Sequence, residues 1–475
     1  MKNQYRFIAR IIIEAKTPLN IGSGNKGIKS DSLVLRDVNG LPFIPGTTIA
    51  GLLRHSITTA RIKDESDKDY DVRLDELRGP LMGNQELGSP LIITEAKMLD
   101  SDRTVLDGII SQEKLNSKFL SNYRQLPIRQ HAKIGHRGAT LKGGKFDEEI
   151  VLKGTRFCFE MEMLSDKADD TKFKELLGTL NSDTFRIGSG SRSGFGEIEV
   201  VGSQCQYKKI DLTNTEQKEW YLMKSSSLSE EWQGAELLSI NKPDSKGWTS
   251  YTLLLKPVDF LLFGSGFGND KADMTFVRES FVDWNSETAQ VKDRDQVILI
   301  PASSVKGALS HRLAFHYNKV KEIFADTLSE GERIENFVGK NNEAVKAVFG
   351  SEGEKDADGK MQNKKRGNLL ISDIIQESVV PPKILNHVSI DRFTGGAIDG
   401  ALFNEETLYA KGQSFELKLL VKNTAFDDKD VKTAFEDTLK DLCSGMLPLG
   451  GGVNRGNGCF EGIIKRNGEL IYGNN

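Results

Sequence analysis

The chain has 475 residues, with 64 Lys+Arg against 68 Asp+Glu and a formal net charge of −4. That length exceeds what a single hydrophobic core usually covers, so two or three domains are expected, and the near balance of charge excludes a whole-molecule field for polyanions, which would have to meet a local patch. The four cysteines form no CxxC pair, which argues against a zinc ribbon or a disulfide framework and fits a reducing cytoplasm.

The first apolar run covers residues 7–13 and is interrupted by Arg10. It is shorter than a signal peptide's hydrophobic region and far shorter than a membrane span, so we read it as a buried strand and expect no membrane partner. It leads into Ile21-Gly-Ser-Gly-Asn-Lys-Gly-Ile-Lys-Ser-Asp31, which resembles a phosphate loop with a fault: Gly22 and Gly27 are correctly spaced, but Ile28 intrudes before Lys29 and Ser30. Next, Ile44-Pro-Gly-Thr-Thr opens a helical pattern in which Ile49, Leu52, Leu53 and Ile57 share a face, with Thr47 or Thr48 as natural N-caps. The dipeptide Met82-Gly83 precedes an apolar strand, LIITEA. From Arg124 to Lys145, around the entrance of a long hairpin, lie Arg124, Arg129, His131, Lys133, His136, Arg137, Lys142 and Lys145 with no acid among them. Such a run is a basic patch inside an acidic chain, and we expect nucleic acid to meet it. A helical pattern over 172–180 and the glycine-rich loop IGSGSRSGFGEIEV from Ile187, carrying Arg192, close this half.

A polar stretch rich in Ser and Glu follows, assigned to a linker with one helical turn. Beyond it the same five features return in the same order. A strand-like run from Ser250 leads to Gly264-Ser265-Gly266, 242 positions after Gly22-Ser23-Gly24, and Asp31-Ser-Leu-Val-Leu-Arg-Asp37 is matched by Asp273-Met-Thr-Phe-Val-Arg-Glu279 at the same offset. Ile300-Pro-Ala-Ser-Ser echoes the helix start, with Ser303 or Ser304 as N-caps, and Phe349-Gly350 precedes NLLISDI. A hairpin enters at His387, a helix pattern spans 430–446, and LGGGVNRGNGCFEG from Leu449 carries Arg455. The phosphate-loop reading falls here, because the second copy lacks the GK and the following Ser/Thr. What both copies keep is a pair of glycines and an aspartate. The chain is therefore read as a tandem duplication: residues 1–210, a linker over 211–247, and 248–475.

The GSG loop, the D-x-x-x-x-R-[DE] segment, the IP-x-[ST]-[ST] helix start and the terminal glycine-rich loop together resemble the RAMP superfamily of CRISPR-associated proteins. The hairpin IDRFTGGAIDGALFNEETLYAKGQSFEL is especially similar to the repeated backbone subunit of type III (Csm/Cmr-like) effector complexes. The resemblance covers nearly all of both halves, and the chain departs from it by fusing two such units. It implies an α+β fold of two tandem ferredoxin-like (RRM-like) domains, each with a thumb β-hairpin and a glycine-rich loop, and the strand, helix, strands, helix, strand order agrees. It further implies CRISPR RNA, target RNA and other effector subunits as partners, and RNA-guided endoribonuclease activity in antiviral defence. The family's cleaving aspartate, in the loop after the first strand, falls on Asp31 and Asp273.

A carboxylate in a glycine-flanked loop suits RNA cleavage, in which the 2′-hydroxyl is set in line with its own phosphate. Aspartate is a weak general base at neutral pH, so orienting the 2′-OH or binding a divalent cation, Mg2+ first, is the expected role of Asp31 and Asp273. Gly22, Gly24, Gly264 and Gly266 would let the strand approach the backbone closely. Thr47, Thr48, Ser303 and Ser304 lie where helix-start N–H groups can meet a phosphate. In the family a Lys and an Arg on this first helical turn contact the guide, and each half keeps one: Lys306 is matched by Ala50, and Arg54 by Ser310. Arg129, His131, Arg137, Lys142, His387 and Arg392 on the hairpins, with Arg192 and Arg455 on the glycine loops, complete the expected RNA contacts. His131 and His387 occupy the same hairpin entrance, and neither has a second His or Cys at ligand spacing, so zinc is not expected. Two alternatives stand beside this reading: a non-catalytic RNA-binding scaffold, and an endonuclease that processes precursor CRISPR RNA.

Overall fold

The computed structural model describes residues 3–473 apart from 28–29, 60–61, 63–64, 85, 356–360, 363 and 379; Ile28 and Lys29 of the first loop thus lie outside the described residues. In the first half, β1 (Tyr5–Ala15) is followed by α1 (Gly46–Ser56), α2 (Asp67–Met82), β2 (Leu91–Ile93), a hairpin of β3 (Ile128–Ile134) and β4 (Thr140–Glu149), β5 (Arg156–Ser165), α3 (Thr171–Leu180) and β6 (Gln204–Asp211). β1 is the central strand, antiparallel to β5 on one side and β6 on the other, and β2 lies outside β5. Phe7, Ala9, Ile11 and Ile13 point from β1 into the core, where α3 adds Phe173, Leu176, Leu177 and Leu180. Alternation along the strand and helical spacing in α3 thus fill one layer from each side.

Residues 211–247 are not a free linker. They form α4 (Thr215–Met223) and β7 (Glu236–Ser239), which pairs with β6 and becomes the edge of the first sheet. Trp232 packs with Ile8 and Ile210 beneath them, so a stretch that is polar on average still supplies an apolar anchor.

The second half repeats the plan with β8 (Trp248–Pro257), α5 (Ala302–Val320), β9 (Leu369–Ile371), a hairpin of β10 (Pro382–Ile390) and β11 (Ala397–Tyr409), β12 (Phe415–Lys422), α6 (Lys429–Cys443) and β13 (Phe460–Arg466). β8 is central between β12 and β13, with β9 outside β12. This is the same strand order as in the first half, and with it the βαββαβ sequence of elements.

The helix starts differ from the sequence expectation. The N-caps are Pro45 and Pro301, in extended conformation and without a side-chain cap, so Thr47, Thr48, Ser303 and Ser304 lie inside the first turn. Proline's fixed φ sets the entry, and Asp373 caps α5 from outside by accepting from Ala302 N–H at 2.7 Å. Gly46 fits only as glycine, because a Cβ there would strike the Ile93 carbonyl.

The halves dock head to tail. The strand pair Phe281–Asp283 and Gln290–Lys292 of the second half lies on the first half's core, placing Val282 and Ala289 in it. Trp284 Nε1 donates to the Gly154 carbonyl at 2.6 Å, with the Arg156 guanidinium 4.2 Å over its ring.

Candidate nucleic-acid interface

Each GSG loop folds back as a narrow irregular ribbon, bridged Gly22 to Val34 in one half and Gly264 to Phe276 in the other. No helix follows either loop directly, which removes the remaining basis for a phosphate loop. The two loops then lean on their hairpins in the same way. Ser32 bridges Glu148 on β4, and Met274 bridges Glu405 on β11. Asp31 Oδ2 accepts from Asp147 N–H at 3.3 Å, and Asp273 Oδ2 accepts from Asn404 N–H at 2.8 Å. Both aspartates are exposed, and among the described residues the other oxygen of each carboxylate receives no hydrogen bond. Two chemically similar acids are thus presented at equivalent points, where loop meets hairpin.

Behind each aspartate the hairpin carries the same trio, a His on its outgoing strand and a Phe and a Glu on its return strand. His131 stacks on Phe146 with ring centroids 4.8 Å apart, and its Nε2 lies 3.0 Å from Glu148 Oε1. His387 stacks on Phe403 at 4.9 Å, with Nε2 2.9 Å from Glu405 Oε1. Both contacts have ion-pair distance without hydrogen-bond alignment. The glutamates and phenylalanines were not among the residues expected from sequence, although Phe-Asp-Glu-Glu at 146–149 and Phe-Asn-Glu-Glu at 403–406 carry the signal. The histidines therefore serve first to lock strand to strand. His131 is buried in this packing and is not open to a ligand, whereas His387 keeps partial exposure.

Three cations of the basic patch are neutralised by the second half, which corrects part of its sequence reading. Arg129 is buried and forms ion pairs with both Glu279 and Asp373, so it holds the halves together rather than facing RNA. Burial disfavours its charge, but the two carboxylates outweigh burial and raise its pKa above the ordinary arginine value. Glu279 is pushed up from the usual carboxylate range, by burial and by the neighbouring Asp373, against the pull of Arg129. Lys133 pairs with Glu352 at 2.7 Å and Arg137 with Glu335 at 2.8 Å, while Lys142 stays exposed. Polar sequence alone could not reveal that the acids complementing these bases lie about two hundred residues away on the docked half.

The remaining expected contacts divide in the same manner. Arg54 is held within its own half by the Gly83 carbonyl (2.7 Å) and Asp75 (2.6 Å). Gly266 lies under Gln130 of the first hairpin, so its lack of a side chain serves the docking of the halves. Arg455 donates to both oxygens of Glu405, at 2.7 and 2.6 Å. Arg392 stands exposed at the tip of the second hairpin, and Gly22 and Gly24 remain exposed in the first loop. Ser304 is exposed on the first turn of α5, with Ser303 and Lys306 half-buried, and Thr47 is exposed on α1, with Thr48 half-buried.

No group of three or more His, Cys, Asp or Glu side chains suited to a metal gathers among the described residues. Among the described residues no such cluster completes a Mg2+ site at either loop aspartate, and no step is derived through one.

Comparison with known proteins agrees with the duplicated architecture. The model of the RAMP superfamily matches residues 12–199 and again 255–461. A protein of Methanocaldococcus jannaschii, named "CRISPR system Cms endoribonuclease Csm3", is 28% identical over 204 residues, covering 40% of this chain and 75% of the relative. With both halves matched and both built on the same strand order, the chain belongs to the RAMP superfamily and carries two RAMP domains in tandem.

Proposed function

We propose that this protein is a backbone subunit of a type III CRISPR effector complex, that it binds CRISPR RNA, and that it cleaves complementary target RNA once per domain. The observation that carries the reading is the repeated seating of Asp31 and Asp273 against Asp147 and Asn404, each with one carboxylate oxygen directed to a backbone N–H and one free. The backbone bond fixes the orientation of the carboxylate, and the free oxygen can accept the hydrogen of a 2′-hydroxyl. Aligned in that way, the 2′-oxygen attacks the adjacent phosphorus, the bond from phosphorus to the 5′-oxygen breaks, and a 2′,3′-cyclic phosphate and a 5′-hydroxyl result. The hydroxyl proton leaves toward the carboxylate and water, and the departing 5′-oxygen takes a proton from water. Other effector subunits are the expected neighbours and the cytoplasm the expected setting; no helix among the described residues is long and apolar enough to cross a membrane.

The test is Asp31→Ala and Asp273→Ala made separately in the assembled complex, with a labelled complementary RNA. Each change should remove its own product from the ladder, with a loss of about a hundredfold or more at that site. A ladder unchanged by both variants would sink the catalytic assignment. It would leave the second reading, an RNA-binding scaffold, which is favoured by the absence, among the described residues, of any group of three or more His, Cys, Asp or Glu side chains suited to a metal.

A further inference from the structure

The two aspartate loops are alike in themselves and unlike in what holds them. In each, the turn glycine has a left-handed φ, +78° at Gly24 and +86° at Gly266. The serine before it bonds across the ribbon: Ser23 N–H donates to the Leu33 carbonyl at 2.9 Å, and Ser265 N–H to the Thr275 carbonyl at 2.8 Å. The difference comes from outside. A Cβ on Gly266 would strike Gln130 Oε1 of the first hairpin, whereas nothing among the described residues lies within 4 Å of the same point on Gly24.

The far end of each segment repeats the contrast. Glu279, downstream of Asp273, is ion-paired with Arg129, the neighbour of Gln130 on β3. Its counterpart Asp37, downstream of Asp31, accepts from its own turn, at Asn39 N–H and Leu41 N–H (both 2.9 Å), and has no cation partner among the described residues. Consecutive residues of the first hairpin therefore grip the Asp273 segment on either side of the aspartate, and the Asp31 segment has no such grip. The bond from Arg192 Nε to the Gly367 carbonyl, at 2.8 Å, also crosses the seam but meets neither loop. A loop pinned at two points samples fewer conformations than one closed only on itself.

We propose that Gln130 is a positioning residue for Asp273, and that the Asp31 loop is set only when a hairpin of a neighbouring subunit lays an equivalent pair, a cation followed by a carboxamide, over Asp37 and Gly24. The chain's own second hairpin does not carry that pair. At the places of Arg129 and Gln130 it has Leu385 and Asn386, so a second copy would bring the amide but set a leucine against Asp37. The neighbour is therefore a different subunit, with a basic residue at that point of its hairpin. The consequence for cleavage rests on the function proposed above; the holding of the loops does not. The Asp273 site is complete within the chain, and the Asp31 site is shared with the neighbour.

Amide hydrogen exchange of the full chain without RNA reads the loops directly. The Ser265 amide should exchange about tenfold more slowly than that of Ser23, although their hydrogen bonds are alike. Gln130→Ala should speed Ser265 toward Ser23 while leaving the Leu253 amide of the central strand unchanged, and Gln130→Asn should recover part of the protection. Equal exchange of the two serines in the wild type, or a Ser265 amide indifferent to Gln130→Ala, overturns the proposal. With guide and complementary RNA but no other subunit, the chain should give the Asp273 product and about tenfold less of the Asp31 product, a gap that the complete complex closes and that Asp37→Asn reopens. An equally fast Asp31 product, or no Asp273 product, without neighbours overturns the division of the two sites. Recovery of the Asp31 product on adding a second copy that cannot cleave, Asp31→Ala/Asp273→Ala, overturns the assignment to a different subunit. Unequal exchange of the serines with no cleavage by the complete complex overturns the proposed function and supports the role of Gln130 in holding the loop.

Discussion

At the scale of single residues, the hairpin trios explain why a histidine recurs at one position without any metal or acid–base motif around it. Glu405 is almost wholly buried, accepts from Arg455 at 2.6 Å and lies 2.9 Å from His387. Glu405→Ala should cost about 1–3 kcal/mol by leaving Arg455 without its acceptor, measured by chemical denaturation, while Glu405→Gln should recover part of the loss because its amide oxygen still accepts. The lesson for reading sequence is local. The paired placement of Asp31 and Asp273 at loop and hairpin was legible because their spacing repeats and the family resemblance points to that loop. Glu148 and Glu405 were not picked out, since a glutamate in a strand looks like a solvated face until its cross-strand partner is known.

At the scale of elements, the strands and core helices were legible because each buries one face at a fixed period. α3 lies within one residue of its expected bounds, β1 extends two residues beyond the expected run at each end, and α6 ends three residues earlier than expected. Helix starts were read less well. The sequence offered hydroxyl residues as caps, but proline two or three positions earlier sets the chain direction, and the capping of α5 comes from Asp373, seventy-one residues away. Gly46→Val should therefore destabilise the first half by about 2 kcal/mol or more, because the Ile93 carbonyl on β2 must move, whereas Ala302, at the equivalent point of α5, already tolerates a methyl group. The midpoint of urea unfolding would report it.

At the scale of the whole molecule, the seam is organised around one buried guanidinium shared by two carboxylates. Arg129→Met strands both acids and should destabilise the docked halves by about 3–5 kcal/mol, seen as a lower Tm and faster proteolysis between them. Glu279→Gln should behave oppositely. The folded pKa of Glu279 lies above its unfolded value, so the folded state binds the extra proton, and wild-type stability gains as pH falls through that raised value. The amide cannot titrate, so the Tm difference between wild type and Glu279→Gln should narrow on acidification from pH 8 and be largest at the alkaline end. A constant difference across the range would count against this assignment. None of the seam was readable from sequence, because its ion pairs join residues 150 and 244 positions apart.

One consequence follows from how the halves meet. The first hairpin is tied to the second half through Arg129, Lys133 and Arg137, but its duplicate keeps Val388, Ile390, Phe393 and Leu402 in solvent, and Leu385 stands where Arg129 would be. Joining unlike faces uses one of each pair and leaves the other over, so the molecule has direction, with a front that differs from its back.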